Sequence, residues 1–224
     1  MNIIIFGATG MVGQSVLRKS LGSSEVQQVM TIGRKRTYHK HHKLQEIELA
    51  DVLELSSIES EITGFDACFF CLGVSSQGMN EAEYEKVTYD LTLAAAKTLV
   101  KLNPQMTFIY VSGSGTDSTE QGRIMWARVK GRTENALLRL PFKAAYMFRP
   151  GLIIPTNGVR SKTRLYRVMY QVMRPFYPLL MKLSSTVTSD QLGAAMIKVV
   201  RDGYSHPVVE SQQIKLLGQS AGKL

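Results

Sequence analysis

The stretch Asn2 to Leu21, NIIIFGATGMVGQSVLRKSL, constrains this chain more than any other. Ile3, Ile4, Ile5 and Phe6 form an apolar run without alternation, the pattern of a central parallel strand covered on both faces. Gly7, Gly10 and Gly13 follow at GxxGxxG spacing, and Val12, Val16, Leu17 and Leu21 then mark one face of a helix. Gly7 permits a sharp exit from the strand, Gly10 lets backbone N–H groups approach a diphosphate, and Gly13 lets the helix pack closely. The helix start adds its partial positive charge. A glycine triplet alone is a common turn; between a strand and a helix it predicts a dinucleotide-binding unit, with Gly7, Thr9, Gly10, Met11, Val12 and Gly13 as its cradle.

At 224 residues the chain is expected to form a single domain: a nucleotide-binding core over 1–156, substrate-side helices over 157–203 and a tail over 218–224. No apolar run approaches the roughly 20 residues that span a bilayer. A strand beginning at the second residue leaves no room for a signal peptide, so a cytoplasmic protein is expected. Cys68 and Cys71 lie in the strand pattern DACFFCLG, where residues three apart point to opposite faces. They therefore read as packing thiols rather than a disulfide or a metal clamp.

Net charge is +9 and unevenly spread. From Arg123 to Lys182 there are thirteen Lys or Arg against the single acid Glu134. That asymmetry favours an anionic partner: cofactor phosphates, an acidic substrate or an anionic membrane face.

A second strand, Val26 to Ile32, ends at Gly33-Arg34-Lys35-Arg36. In a dinucleotide fold this end lies beside the adenosine ribose, where an acidic residue would accept hydrogen bonds from a free 2′-hydroxyl. Here Arg34 and Lys35 suit a 2′-phosphate and point to NADP rather than NAD, a solvated basic loop being the alternative. The histidines His39, His41 and His42 lie among cations that would repel a metal ion, so no metal site is expected. Glu46 to Leu53 reads as a third strand, with Asp51 placed either to meet the adenine edge or to cap a turn. A brief helix is expected over Ile58 to Ile62, then a fourth strand over Asp66 to Gly73, with Leu72 and Gly73 at the ligand-binding edge of the sheet.

Asn80 to Leu102 is the clearest helix, capped by Asn80 with Glu83 and ended by Asn103-Pro104. Met106 to Val111 forms a fifth strand leading to Ser112-Gly113-Ser114-Gly115, and Ile124 to Leu140 a helix carrying Lys130. Ala144 to Phe148 is a sixth strand running into Arg149-Pro150-Gly151. The alternation predicts an α/β fold, a doubly wound parallel sheet of Rossmann type with a small C-terminal helical elaboration. In that elaboration Leu165, Val168, Met169, Val172, Met173 and Phe176 share a helical face opposite Lys162, Arg164, Arg167 and Arg174. Thr188 with Gln191 signals a second helix, stopped at Gly203.

Taken in order, GATGMVG, CLG, VTYDLTLAAA, YVSGSG, VKGRTE and FRPG resemble the atypical short-chain dehydrogenase/reductases, and among them the Tat-interacting-protein type of oxidoreductase. The likeness spans roughly Met1 to Thr156 and extends more weakly into the remaining helices. It implies NADP as cofactor and a serine, a tyrosine and a lysine as catalytic residues. Carried over, the serine is Ser112 and the lysine is Lys130, which would hold the nicotinamide ribose; Gly73 and Pro150 would border the cofactor. The tyrosine position, four residues before Lys130, holds Trp126. An indole N–H donates a hydrogen bond but does not ionise, so Trp126 cannot shuttle a proton. General acid–base catalysis contributes about 10²–10⁴-fold, so its loss leaves hydride transfer slow unless Ser112, Ser114 or a water, with Lys130, replaces it.

Two functions follow: an oxidoreductase on a small carbonyl or hydroxyl compound with an altered catalytic motif, and a non-catalytic NADP sensor or scaffold. The basic amphipathic stretch Ser161 to Met173 adds peripheral membrane contact, with core packing as the competing reading. No nucleic-acid-binding motif accompanies the charge, so no nucleic-acid partner is expected. Substrate identity and oligomeric state are not written in the sequence.

Overall fold

The computed structural model describes residues 1–157 and 172–219. Among them are nine strands: β1 (Asn2–Phe6), β2 (Gln28–Gly33), β3 (Leu44–Glu48), β4 (Ala67–Phe70), β5 (Thr107–Val111), β6 (Ala144–Arg149), β7 (Leu152–Ile154), β8 (Thr186–Thr188) and β9 (Val208–Glu210). Seven build one parallel sheet in the order β3-β2-β1-β4-β5-β6-β9, and β7 with β8 forms a small parallel pair beside it. Strand order reverses between β1 and β4, so a crevice opens at their carboxyl ends, the place where doubly wound sheets bind ligands.

The helices are α1 (Met11–Gly22), α2 (Glu81–Glu85), α3 (Leu91–Leu102), α4 (Met125–Leu138), α5 (Tyr177–Leu180), α6 (Ser189–Asp202) and α7 (Ser211–Gln219). Alternate residues of β1 feed two cores. Ile3 and Ile5 pack with Phe69, Ile109 and Phe148 against Val16 and Leu17 of α1 and Leu192, Met196 and Val199 of α6. Ile4 and Phe6 pack with Phe70, Phe108 and Tyr110 against Leu93, Ala96 and Leu99 of α3 and Leu137 of α4. The two cysteines divide in the same way, Cys68 in the second core and Cys71 against the first, and both are free thiols.

The long helix expected from Asn80 is present with both halves of its capping box, yet a π-turn at Lys86–Asp90 separates α2 from α3. Ion pairs Glu81–Arg128 and Glu85–Arg132 hold α2 on α4 beside that turn. The expected third strand is shifted: β3 ends at Glu48, and Val52–Ile58 forms a 3-10 helix where the strand's end and the start of a later brief helix were expected.

The last quarter departs further from expectation. α6 does not cover the substrate side; it lies on α1 behind the sheet, joined by a buried 2.8 Å hydrogen bond from the Ser15 hydroxyl to that of Ser189 and by the Arg18–Asp190 ion pair. α7 runs through Gly218 and Gln219, where a tail was expected. A Cβ on Gly218 would stand 2.3 Å from the Gln191 carbonyl oxygen, so glycine is what lets α7 lie against α6. The basic amphipathic stretch Ser161 to Met173 lies outside the described residues except for Val172 and Met173.

Candidate functional site

The β1–α1 turn is built by exclusion of side chains. Gly7 has φ +76°, and a Cβ on it would stand 2.7 Å from the Cys71 and Leu72 backbone at the end of β4. A Cβ on Gly13 would stand 2.1 Å from the Gly7 carbonyl oxygen, so α1 approaches the turn more closely than any other residue allows. The Gly10 N–H closes the turn on the Gly7 carbonyl at 2.9 Å, and Gln14 braces it by donating to the Thr9 carbonyl at 3.0 Å. α1 then starts at Met11 with no side-chain cap and no acid in its first turn. Its first amides are left for an anionic ligand.

These amides face a cavity of about 490 Å³. Gly10, Met11 and Val12 form one wall, Cys71 and Gly73 the floor beside β4, and Ser112, Ser114 and Pro150 the far wall at the ends of β5 and β6. Six of the residues anticipated from the sequence thus meet around one space: Gly10, Met11, Val12, Gly73, Ser112 and Pro150. Gly7, Thr9 and Gly13 shape the turn behind it, and Leu72 packs into the α3-side core. Cys71 and Ile153 are lining residues that sequence reasoning did not assign; the place of Cys71 just past β4 was an available signal, while Ile153 lies within β7. Burial pushes the Cys71 thiol up to about 12, so it is not a thiolate near neutral pH.

At the end of β2, Arg34 and Lys35 are exposed and make no ion pair among the described residues, whereas Arg36 pairs with Glu48 at 3.0 Å. Glu46, the nearest other carboxylate on β3, accepts from the Thr37 N–H at 2.8 Å and from its hydroxyl. Asp51 is exposed and accepts from the Leu53 N–H at 2.9 Å, the capping alternative of its two sequence readings. Among the described residues no group of His, Cys, Asp and Glu is arranged to hold a metal ion.

Side chains of α4 stand behind the far wall. Trp126 and Lys130 are one turn apart on α4, and Glu134 is one turn further. The Lys130 Nζ donates to the Ser112 carbonyl at 2.6 Å and lies 5.8 Å from the centre of the Tyr110 ring. Burial pulls the Lys130 ammonium down to about 8, with the Glu134 carboxylate opposing that shift. The Ser112 hydroxyl donates to Glu134 and, at 3.1 Å, to the Phe148 carbonyl; Glu134 is 1% exposed and ion-paired with Arg149. The single Ser112 proton is therefore committed within the protein, and toward the cavity its oxygen can only accept. Trp126 stands over the loop, its Cη2 3.5 Å from where a Cβ on Gly115 would be.

A model of the family described as NAD dependent epimerase/dehydratase matches residues 3–122, from β1 through the loop after β5. The chain belongs to that family. Among its relatives, the protein named FMP52-2, mitochondrial, of Scheffersomyces stipitis is 32% identical over 162 residues, covering 71% of this chain and 68% of that one. The protein HTATIP2 of Rattus norvegicus is 26% identical over 155 residues, covering 68% and 63%, in line with the Tat-interacting-protein resemblance. Solved structures extend the fold likeness. The UDP-N-acetylglucosamine 4-epimerase from Methanobrevibacter ruminantium superposes with a TM-score of 0.69 at 14% identity, over 93% of this chain and 75% of its own. The Bordetella bronchiseptica enzyme WbmF in complex with NAD+ gives 0.67 at 12%, over 99% and 78%. Identities this low speak for the fold alone.

One expectation is overturned by these relatives. Those from Scheffersomyces stipitis, Aspergillus terreus and Candida albicans are named mitochondrial proteins, against the cytoplasmic location drawn from the first strand. A strand that folds into the core carries no address, so its position had no physical hold on compartment.

Proposed function

We propose that this family member is an NADP-binding oxidoreductase acting on a small carbonyl or hydroxyl compound. The observation that carries the reading is the cavity itself, with an uncapped helix start on one wall and Ser112, backed by Lys130, on the other. The residues fit a dinucleotide. Gly7 and Gly13 hold a cradle that a Cβ would fill, the first amides of α1 would take the diphosphate, and Gly73, Ser112 and Pro150 would border the nicotinamide end. When bound, the reduced dinucleotide supplies a hydride. Exposed Arg34 and Lys35, with no acid in the loop and the nearby carboxylates engaged elsewhere, support a 2′-phosphate and hence NADP over NAD. Titration with NADPH and NADH, followed by nicotinamide fluorescence, tests both levels. NADPH is expected to bind about tenfold tighter, the worth of one charge-assisted contact at an exposed site. Equal affinities would remove the NADP preference, and no binding of either would remove the function.

Trp126 favours a second reading, a sensor or scaffold that binds NADP without turnover. Trp126→Tyr separates the two: turnover that appears only in the variant supports the sensor, and carbonyl reduction by the natural protein eliminates it. Peripheral attachment to an anionic membrane is supported by Val172, Phe176, Leu179 and Leu183, exposed apolar side chains at helical spacing beside exposed Lys182. No described helix is long and apolar enough to cross a membrane. Flotation with liposomes containing anionic lipid tests the attachment, and protein left in the soluble fraction discards it.

A further inference from the structure

The altered motif leaves open which group gives the substrate oxygen its proton, and the hydrogen-bond inventory of the far wall narrows the choice. Trp126 has no ionisable proton. The proton of Ser112 is already donated, to Glu134 and the Phe148 carbonyl. Ser114 reaches the cavity, with its N–H fixed on the Pro150 carbonyl at 2.9 Å, but a serine hydroxyl orients a substrate oxygen without ionising near neutral pH. Burial makes the Cys71 thiol too weak an acid. Tyr84 and Tyr110 are 2% exposed, packed away from the cavity wall.

Lys130 alone fits. Its ammonium uses one of three N–H groups on the Ser112 carbonyl, and Ser112 forms part of the cavity wall, so the charge stands beside the reacting space with two donors left among the described contacts. We propose that Lys130 delivers the proton to the substrate oxygen in place of the missing tyrosine, while Ser112 serves the substrate only as a hydrogen-bond acceptor. This rests on the oxidoreductase reading above. In the reduction, the carbonyl carbon gains a hydride from the reduced nicotinamide dinucleotide and the C=O π pair takes a proton from the Lys130 ammonium. The products are an alcohol and the oxidised dinucleotide, and the neutral amine regains a proton from solvent.

The charged and titratable groups around Lys130 are Glu134 on its own helix, Tyr110 on β5, Arg149 of β6 beyond Glu134, and Tyr84 of α2 behind Tyr110. Arg128 and Arg132 on the same helix are turned to Glu81 and Glu85. With Glu134 neutralised in part by Arg149, burial decides the shift and the ammonium loses its proton near pH 8.

The test uses the full chain with NADPH and a panel of aldehydes and ketones. The rate of carbonyl reduction at saturating NADPH is expected to fall as pH rises through about 8, the protonated lysine being the active form. Lys130→Arg keeps a cation for the ribose but cannot release its proton, so NADPH binding persists while reduction drops about 100-fold or more. Trp126→Tyr supplies a second acid and moves the falling limb upward. Independently of turnover, the ε-carbon shift of Lys130 in labelled apoprotein, assigned by its loss in Lys130→Arg, titrates well below the other lysines. The inference is overturned by a Lys130→Arg variant with the natural rate and pH limb, by a Lys130 midpoint equal to the bulk lysines, or by bound NADPH without reduction of any carbonyl tried. Failure of NADPH to bind would instead remove the underlying function and this inference with it.

Discussion

The two walls of the cavity are made by opposite means. On the α1 side the site is backbone: Gly7, Gly10 and Gly13 bring main chain against main chain, and no ionisable side chain takes part. On the α4 side it is supported by side chains: Lys130 and Glu134, one turn apart, bond Ser112 at the end of β5, and Glu134 extends the contact to Arg149 on β6. The first wall depends on space, which is nearly independent of pH, and the second on charge in a place where water is scarce. A backbone wall can be lost in only one way, by adding atoms. A side-chain wall can keep its shape and change its chemistry.

Substitutions that separate space from charge sharpen this contrast. The largest effect is expected from Glu134→Ala, which strands Arg149, 11% exposed at its side chain, without its main partner. Breaking a buried pair from one side costs about 3–5 kcal/mol, read as a lower urea midpoint at unchanged slope. Gly13→Ala follows, with a Cβ forced against the Gly7 carbonyl. Overpacking of this kind costs about 1–3 kcal/mol, and NADPH binding is expected to vanish even where the variant folds. If Gly13→Ala bound NADPH normally, the steric account of the first wall would fail.

Arg34→Ala and Lys35→Ala are each expected to weaken NADPH by about threefold, near 0.7 kcal/mol, the two together making up the tenfold preference, and to leave NADH unchanged. Equal loss for both cofactors would mean that these cations act through general attraction rather than on the 2′-phosphate. The remaining effect is a slope rather than a single value. The folded state holds Lys130 at about 8 against an ordinary 10.5, so between these values the unfolded chain carries a proton that the folded one lacks. Stability attributable to Lys130 therefore rises with pH across that window, and below it the buried charge is a penalty. Lys130→Met should remove this rise, measured as the difference between the two proteins' unfolding free energies from pH 8 to 10.5. Taking the difference cancels Cys71, whose raised thiol pushes stability the other way above its ordinary range.

How far each wall was legible follows the same division. Gly7, Gly10 and Gly13 announced the first, because their role depends on neighbours a few residues away. The capping pairs Asn80 with Glu83 and Thr188 with Gln191 were legible for the same reason, as was the division of Cys68 and Cys71 between two faces. The commitment of the Ser112 proton was not, since Glu134 is 22 positions away and reaches it only once α4 lies along β5. The π-turn at Lys86–Asp90, inside a flawless helical pattern, sits where α2 is clamped to α4. β9, with three residues, was equally hidden, as was the surface chosen by α6, a helix legible in itself but without any mark of where it would pack.

The sequence by itself determined that a parallel sheet would begin at Ile3 and that a helix would leave it through a glycine-rich turn. Periodicity, glycine and charge act over a few residues, so their consequences can be read in order along the chain. Only the tertiary structure decided that α6 would back α1, that Arg34 and Lys35 would make no ion pair among the described residues while Arg36 paired with Glu48, and that Lys130 would lie half-buried against Ser112. Those outcomes depend on which distant surfaces meet and how much water they exclude, and no local pattern specifies either.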